Sequence, residues 1–510
     1  MIDEMVGGLL EEAGAAAATS LVHFARTHEH DYEALDWEHD NLLGALAWAR
    51  HNSRMNVITG VCSSLTGYWD TRGLWRLAVE WFREGQNATS SNARAWASWS
   101  HTLGHFLLAL GQYDEAERLY AETLRLWERL DDAPGQAAAA YGLGAVAYRT
   151  TRLAEARNHY QQALTIWERL EDTPHQAVAL HELGLVAFAA GDYSAAQRYY
   201  EQSLAIEESL GNTDGILRTK HELASLLVEL GGWAEAENAY QEIRAFYEAQ
   251  GDKEGLVATY HSLGILAYER GRLPEARNHH QRSLTLAEEL ESTYWIARNL
   301  HNLGRVAAEE EQLDAAESYL QRSLELATAL QDRRTIAGSQ QALGSIAYER
   351  GNLDQAQTLF QSSLDLATGL GDHRFRASAL KSLGVVAAER GQYDQAKEYL
   401  HEALDYFRQA RTPARIASTL ISLGAIAAEE DDWSGAGRFF EEALAEAERL
   451  GNREQTAELL GVLAIVAEEQ GHLEDARALW QRSLQAYEEL CLPQAREVRS
   501  RLRALEAAGT

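Results

Sequence analysis

Proline and cysteine are almost missing from this chain: 510 residues hold 5 prolines, 2 cysteines and 3 methionines. So few prolines leave helices free to run, because proline removes a backbone donor and clashes inside a helix. Cys62 and Cys491 lie far apart in sequence. They make neither a disulfide framework nor a zinc-ligand spacing, and point to a reducing, cytoplasmic setting. No apolar run reaches the roughly 18 residues that a membrane-spanning helix needs. The stretch from Met1 to Ser20 carries Asp3, Glu4 and an alanine run from Ala15 to Ala18. It has no basic n-region and does not read as a secretory signal. Positive charge is scarce as well: 46 Lys and Arg stand against 77 Asp and Glu, a net charge of -31. Such a surface repels phosphate backbones and argues against nucleic acid as a partner. The patterns GxSxG, HExxH, CxxC and GxxxxGK[ST] do not occur. The protein therefore reads as no enzyme, with no cofactor and no metal.

What the sequence has in abundance is repetition. Leu recurs every 40 residues from Leu103 to Leu463, and Ala from Ala116 to Ala476, ten times each without a slip. Gly follows the Leu in eight of the ten repeats, Ala224 and Ala464 being the exceptions. Each repeat reads as two helices. Leu103 and Leu107 step along one helical face, and Gly111 ends that helix. Ala116, Tyr120 and Leu124 step along the next, and Asp131 to Gly135 breaks the helix again. Pro134, Pro174, Pro413 and Pro493 fall at that junction, while Pro274 sits in the first turn of a second helix, where proline is tolerated. The Gly104 and Ala116 columns let two backbones approach closely. Tyr120, Tyr160, Tyr200, Tyr240, Phe360, Phe440 and Trp480 then fill the gap. These columns predict core packing rather than function.

Leu103-Gly104, Leu107, Ala116, Tyr120 and the small Thr123 resemble the tetratricopeptide signature, lengthened from its usual period of about 34 residues. The resemblance covers roughly residues 97 to 490. It implies an all-α fold, a right-handed superhelical α-solenoid of helix-turn-helix repeats. The expected organisation is a helical cap at residues 1–56, a degenerate capping repeat at 57–96, ten repeats over 97–492 and a closing helix over 493–510. Trp37 and Trp48 are expected to pack in the cap. Arg244 replaces the Leu of a second helix and marks the fourth repeat as irregular. A second resemblance lies in Glu38-His39-Asp40-Asn41-Leu42, Ala45 to Ala49 and Tyr68-Trp69 before Gly73. These look like the start of the repeat region in bacterial STAND-type signalling ATPases. With no phosphate loop in the sequence, that likeness implies a sensor portion acting with an upstream ATPase or effector module.

In tetratricopeptide arrays the first helices line a concave face, so the resemblance implies which columns meet a ligand. One column runs His101, Tyr141, His181, His221, His261, His301, Gln341 and Lys381. A second offers Tyr148, Phe188, Tyr268 and Tyr348, and the His105 column supplies Arg305. Beside them run Glu229, Glu269, Glu309, Glu349, Glu389, Glu429 and Glu469. Rings can stack on an extended peptide, and a glutamate row suits Lys or Arg. The expected partner is thus a protein or peptide of basic character, bound to His101, Tyr141, Tyr148, His181, Phe188, His221, His261, Tyr268, His301, Arg305, Glu309, Tyr348, Glu349 and Lys381. The histidines also admit a plainer reading, as copies of one ancestral repeat. Arg270, Arg350 and Arg390 each follow a row glutamate and could balance its charge. The family's carboxylate clamp fits poorly: Lys381 suits it, but Val385 one turn on does not. Three functions stay open: a sensor for a STAND-type ATPase, a stand-alone scaffold, and a peptide-pheromone receptor.

Overall fold

The computed structural model describes residues 2–370, 372–410 and 412–508. These residues form twenty-five helices, from Ile2–Thr27 to Ala495–Ala508, and no strand: an α-solenoid. The protein divides into two compact units, Met1–Val186 and Ala187–Thr510.

The period of the sequence resolves into a shorter pulse. From Ala93–Ala109 to Leu473–Glu489 a helix begins every 20 residues, as in Ala133–Arg149 followed by Leu153–Arg169. The turn that sets this pulse is a single left-handed residue. From Gly111 to Cys491, every twentieth described residue has a positive φ; ten are Gly and eight are not. The next residue commonly caps the following helix, as Asp132 does for Gly135 N at 2.9 Å. One three-residue turn thus ends one helix and starts the next. The break is tighter than the sequence suggests, because Gly135 already lies inside the Ala133–Arg149 helix, and Pro134 and Pro413 fall in the first turns of their helices. Gly135 is needed there for room: a Cβ on it would stand 2.5 Å from the Trp127 ring.

Packing follows the columns. All ten alanines from Ala116 to Ala476 are 0% exposed. A Cβ on Gly104 would meet the Tyr120 ring at 2.9 Å, on Gly144 the Tyr160 ring at 2.7 Å, and on Gly344 the Phe360 ring at 2.6 Å. The glycine is where the second helix presses its large residue into the first. A buried hydroxyl adds a directional contact that apolar periodicity does not reveal. Ser283, Ser323, Ser363 and Ser483 donate to Val257, Ala297, Ala337 and Ala457 carbonyls at 2.8, 2.7, 2.9 and 2.7 Å. In the fourth repeat Ile243 is buried at this normally small position, and Arg244 turns to Glu248 at 3.5 Å. Trp37, expected to pack, is 88% exposed. Trp48 does pack, against Gly14 of the first helix.

Thr151 is a β-branched residue held at φ 63°. Left-handed backbone costs an L-residue about 1 kcal/mol, and glycine almost nothing. Thr151→Gly should therefore raise stability against urea by about 1 kcal/mol despite glycine's larger unfolded entropy. A lower unfolding midpoint would contradict this account of the turn.

Candidate functional site

The first-helix column expected to face a ligand is used in packing. His101 sits edge-on to Tyr120 at 5.4 Å, Tyr141 beside Tyr160 at 5.3 Å and His221 edge-on to Tyr240 at 5.3 Å. His181 and His261 are only 3% and 4% exposed. They do not stand open to a groove, because the bulky residue of each repeat draws the ring inward.

The same column also hydrogen-bonds one repeat further on. His221 Nε2 is 2.9 Å from Ser262 Oγ, and Gln341 Nε2 donates to Ser382 Oγ at 2.6 Å. Tyr141 Oη donates to Glu182 at 3.3 Å, and His261 lies 3.1 Å from Asn299 Oδ1. His301 lies 3.3 Å from Ser339 Oγ, and Lys381 Nζ donates to Ser418 Oγ at 2.9 Å. A spacing of 41 residues recurs in three of these pairs. The column is thus a polar seam between neighbouring repeats. Burial holds His101 down to about 4 and His301 to about 3, so both imidazoles are neutral at pH 7.

The second column is more open. Tyr268 and Tyr348 each donate a hydroxyl hydrogen bond to the next repeat, to Glu309 and Glu389, both at 3.0 Å. Burial, then these carboxylates, push both phenols up to about 12. Arg305 lies over the Tyr268 ring at 4.2 Å and 3.8 Å from Glu269. Phe188 packs on Tyr193 at 5.5 Å, and Tyr148 is half-buried. Glu269, Glu309, Glu349, Glu389, Glu429 and Glu469 are all exposed at one helical position in successive repeats. The arginines beside them do not neutralise the row. Arg270 pairs with Glu237, Arg350 with Glu317 at 2.6 Å and Asp314 at 2.7 Å, and Arg390 with Asp354 at 2.5 Å. Each reaches back to the second helix of the preceding repeat, so none of these three arginines pairs with the glutamate it follows.

Glu229 departs from its row: it is half-buried and ion-paired to Arg374, 145 residues on. Sequence reasoning missed Arg374 and Arg415, whose one signal is that no other repeat places Lys or Arg in the Arg415 column, while Arg374 shares its column with Arg94 and Arg334. Among the described residues no group of three or more His, Cys, Asp or Glu is placed to hold a metal, and no helix is long and apolar enough to cross a membrane.

Paired helices stacked in register, with chemistry displayed on successive first helices, define a helical-repeat array. The Tetratricopeptide repeat family matches at residues 96–169, 136–209, 175–249, 215–289, 255–329, 335–409 and 415–489. The chain belongs to that family. No curated protein matches it. Similar solved structures include BtubC (BKLC) from P. vanneervenii, at 21% identity over 43% of this chain and 92% of that one, TM-score 0.38. A Rap protein complexed with competence and sporulation factor is similar at 16% identity over 66% and 98%, TM-score 0.45. The apo form of RapI is similar at 16% over 54% and 98%, TM-score 0.41.

His280 occupies the bulky column where other repeats have Tyr, Phe, Leu or Trp. It is 0% exposed, and neither ring nitrogen has a hydrogen-bond partner. Burial pushes it down from 6.5 to about 3. The unfolded state therefore binds a proton that the folded state excludes between those values, so stability is lost as pH falls through that window. The slope approaches about 1.4 kcal/mol per pH unit for this group. His280→Leu matches Leu320 and Leu400 of the same column and should flatten the acid-side loss measured by urea unfolding at graded pH. An unchanged slope would contradict the burial of a neutral imidazole there.

Proposed function

We infer that this protein is a non-catalytic binding array whose exposed glutamate row takes a protein or peptide segment of basic character. The observation that carries the reading is the diversion of Arg270, Arg350 and Arg390 to second-helix acids. Acids near a helix C-terminus oppose the helix dipole, and here the adjacent cations are spent elsewhere. Three repeats keep this arrangement and six keep an exposed glutamate at the position, which supports a use outside the fold. Tyr348 flanks the row and offers a ring face to the same segment, while Arg305 covers the Tyr268 ring. We extend the reading to a sensor role beside a STAND-type ATPase, on the likeness of Glu38 to Ala49 and Tyr68-Trp69 to that family. A phosphate loop encoded upstream in the parent gene would favour the sensor over a stand-alone scaffold or a pheromone receptor.

The test is an array of peptides graded in net charge, probed with the wild-type protein and with Glu349→Gln/Glu429→Gln/Glu469→Gln. Signal should rise with positive peptide charge, weaken with added salt and fall several-fold in the variant. Preferential capture of neutral peptides, unchanged in the variant, would overturn the reading.

A further inference from the structure

Within the second compact unit, repeats far apart in sequence meet, and one of their contacts is ionic. Glu229, at the end of the Thr213–Leu230 helix, meets Arg374, at the start of the His373–Glu389 helix. Their side chains are 18% and 24% exposed. The approach is close: a Cβ on Gly191 would stand 3.0 Å from Tyr406 Oη, and one on Gly231 would stand 3.8 Å from Leu450.

The cations outnumber the acids. Burial alone would raise the Glu229 carboxyl, yet Arg374, Arg415 and Arg334 hold it below the usual carboxylate range. Asp372 is the other acid, 3.3 Å from Arg334. Lys381 lies within reach of Arg415's charge; burial first, then that arginine, push it down to about 8. Its hydrogen bond goes to Ser418, and no carboxylate pairs with it among the described residues. Among the described residues four cations thus face two carboxylates, in a protein whose net charge is -31. Arg415 and Lys381 have no Lys or Arg at their position in any other repeat, whereas Arg334 and Arg374 share theirs with Arg94. Position 415 is Gly in three other repeats, at Gly135, Gly215 and Gly255, and position 381 is His, Tyr, Gln, Ile or Gly elsewhere. Copying of an ancestral repeat does not explain Arg415 and Lys381.

We propose that Arg374, Arg415, Arg334 and Lys381 form a carboxylate-binding site, which Glu229 fills in the free protein and yields to an acidic group of the partner. A guanidinium cluster at adjacent helix N-termini favours a planar anion. Glu229 reaches it from a repeat four places earlier, so it acts as an internal competitor tied to the position of its own helix. Displacing it breaks the contact between Gly191, Tyr406 and their neighbours. The site is separate from the glutamate row and takes the opposite charge, so a partner that uses both carries a basic stretch and an acidic group. The carboxylate of a Glu or Asp residue and that of a peptide's last residue present the same chemistry here.

Calorimetric titration of the full-length protein with tri-glutamate peptide tests this, with tri-glutamine as control. A C-terminally amidated tri-glutamate separates recognition of Glu residues from recognition of the terminus. An internal competitor lowers apparent affinity by the fraction of molecules left competent, so Glu229→Gln should bind about tenfold tighter than wild type. Arg374→Gln breaks the same ion pair and should shift the melting midpoint similarly, yet bind no tighter. Glu229→Gln/Arg374→Gln/Arg415→Gln should lose the gain. The proposal falls if Glu229→Gln gains nothing, if tri-glutamine binds as well, or if the gain survives the triple variant. Should Glu229→Gln lose helix content, wild type against Arg415→Gln decides: weaker tri-glutamate binding in Arg415→Gln supports the site, and equal or undetectable binding in both overturns it.

Discussion

Everything in this protein depends on one contact, the large residue of a second helix pressed against a bare backbone in the first. Gly104 under Tyr120, Gly344 under Phe360 and Gly424 under Phe440 are the same event in different repeats. It brings two helix axes close, buries the alanine column completely, and is satisfied within one repeat. Because most repeats make it alone and then pack chiefly on their neighbours, the array grows by addition. The left-handed residue every twentieth place is the other half of the device, since it returns the backbone at the angle that lets the contact form.

That locality explains what the sequence discloses. The Leu, Gly and Ala columns are legible because their partners lie in the same or the next repeat, and a period reports such partners directly. The Tyr120 column is legible for the same reason, apart from His280, which looks like a polar exception and is fully buried. Helix ends are less legible: Gly135 reads as a breaker but serves as clearance for Trp127. The ligand columns were inferred from a likeness about which face is concave. Periodicity alone does not distinguish a ring facing solvent from one facing its neighbour. His181 and His261 turned inward, while Tyr348 and Glu349 did not. The pairing of Glu229 with Arg374 was beyond reach, because it joins repeats four apart and follows from how repeats accumulate rather than from any one of them.

Electrostatics then divides the surface. Acid dominates, and many cations are spent binding one repeat to the next, as Arg350 to Glu317 and Lys397 to Glu430. Exposed pairs of this kind contribute little stability individually. Their larger effect is positional, since they tie Arg270, Arg350 and Arg390 to second-helix acids rather than to the glutamates they follow.

The central claim is that the histidine column is a packed seam and the binding chemistry lies beside it. Side-chain NMR of histidine-labelled protein, titrated from neutral pH down to about pH 5, tests it most directly. The account predicts that His101 and His301 stay neutral throughout that range, in keeping with values pushed down to about 4 and about 3. Titration of both near the ordinary 6.5 would mean open imidazoles and would contradict it.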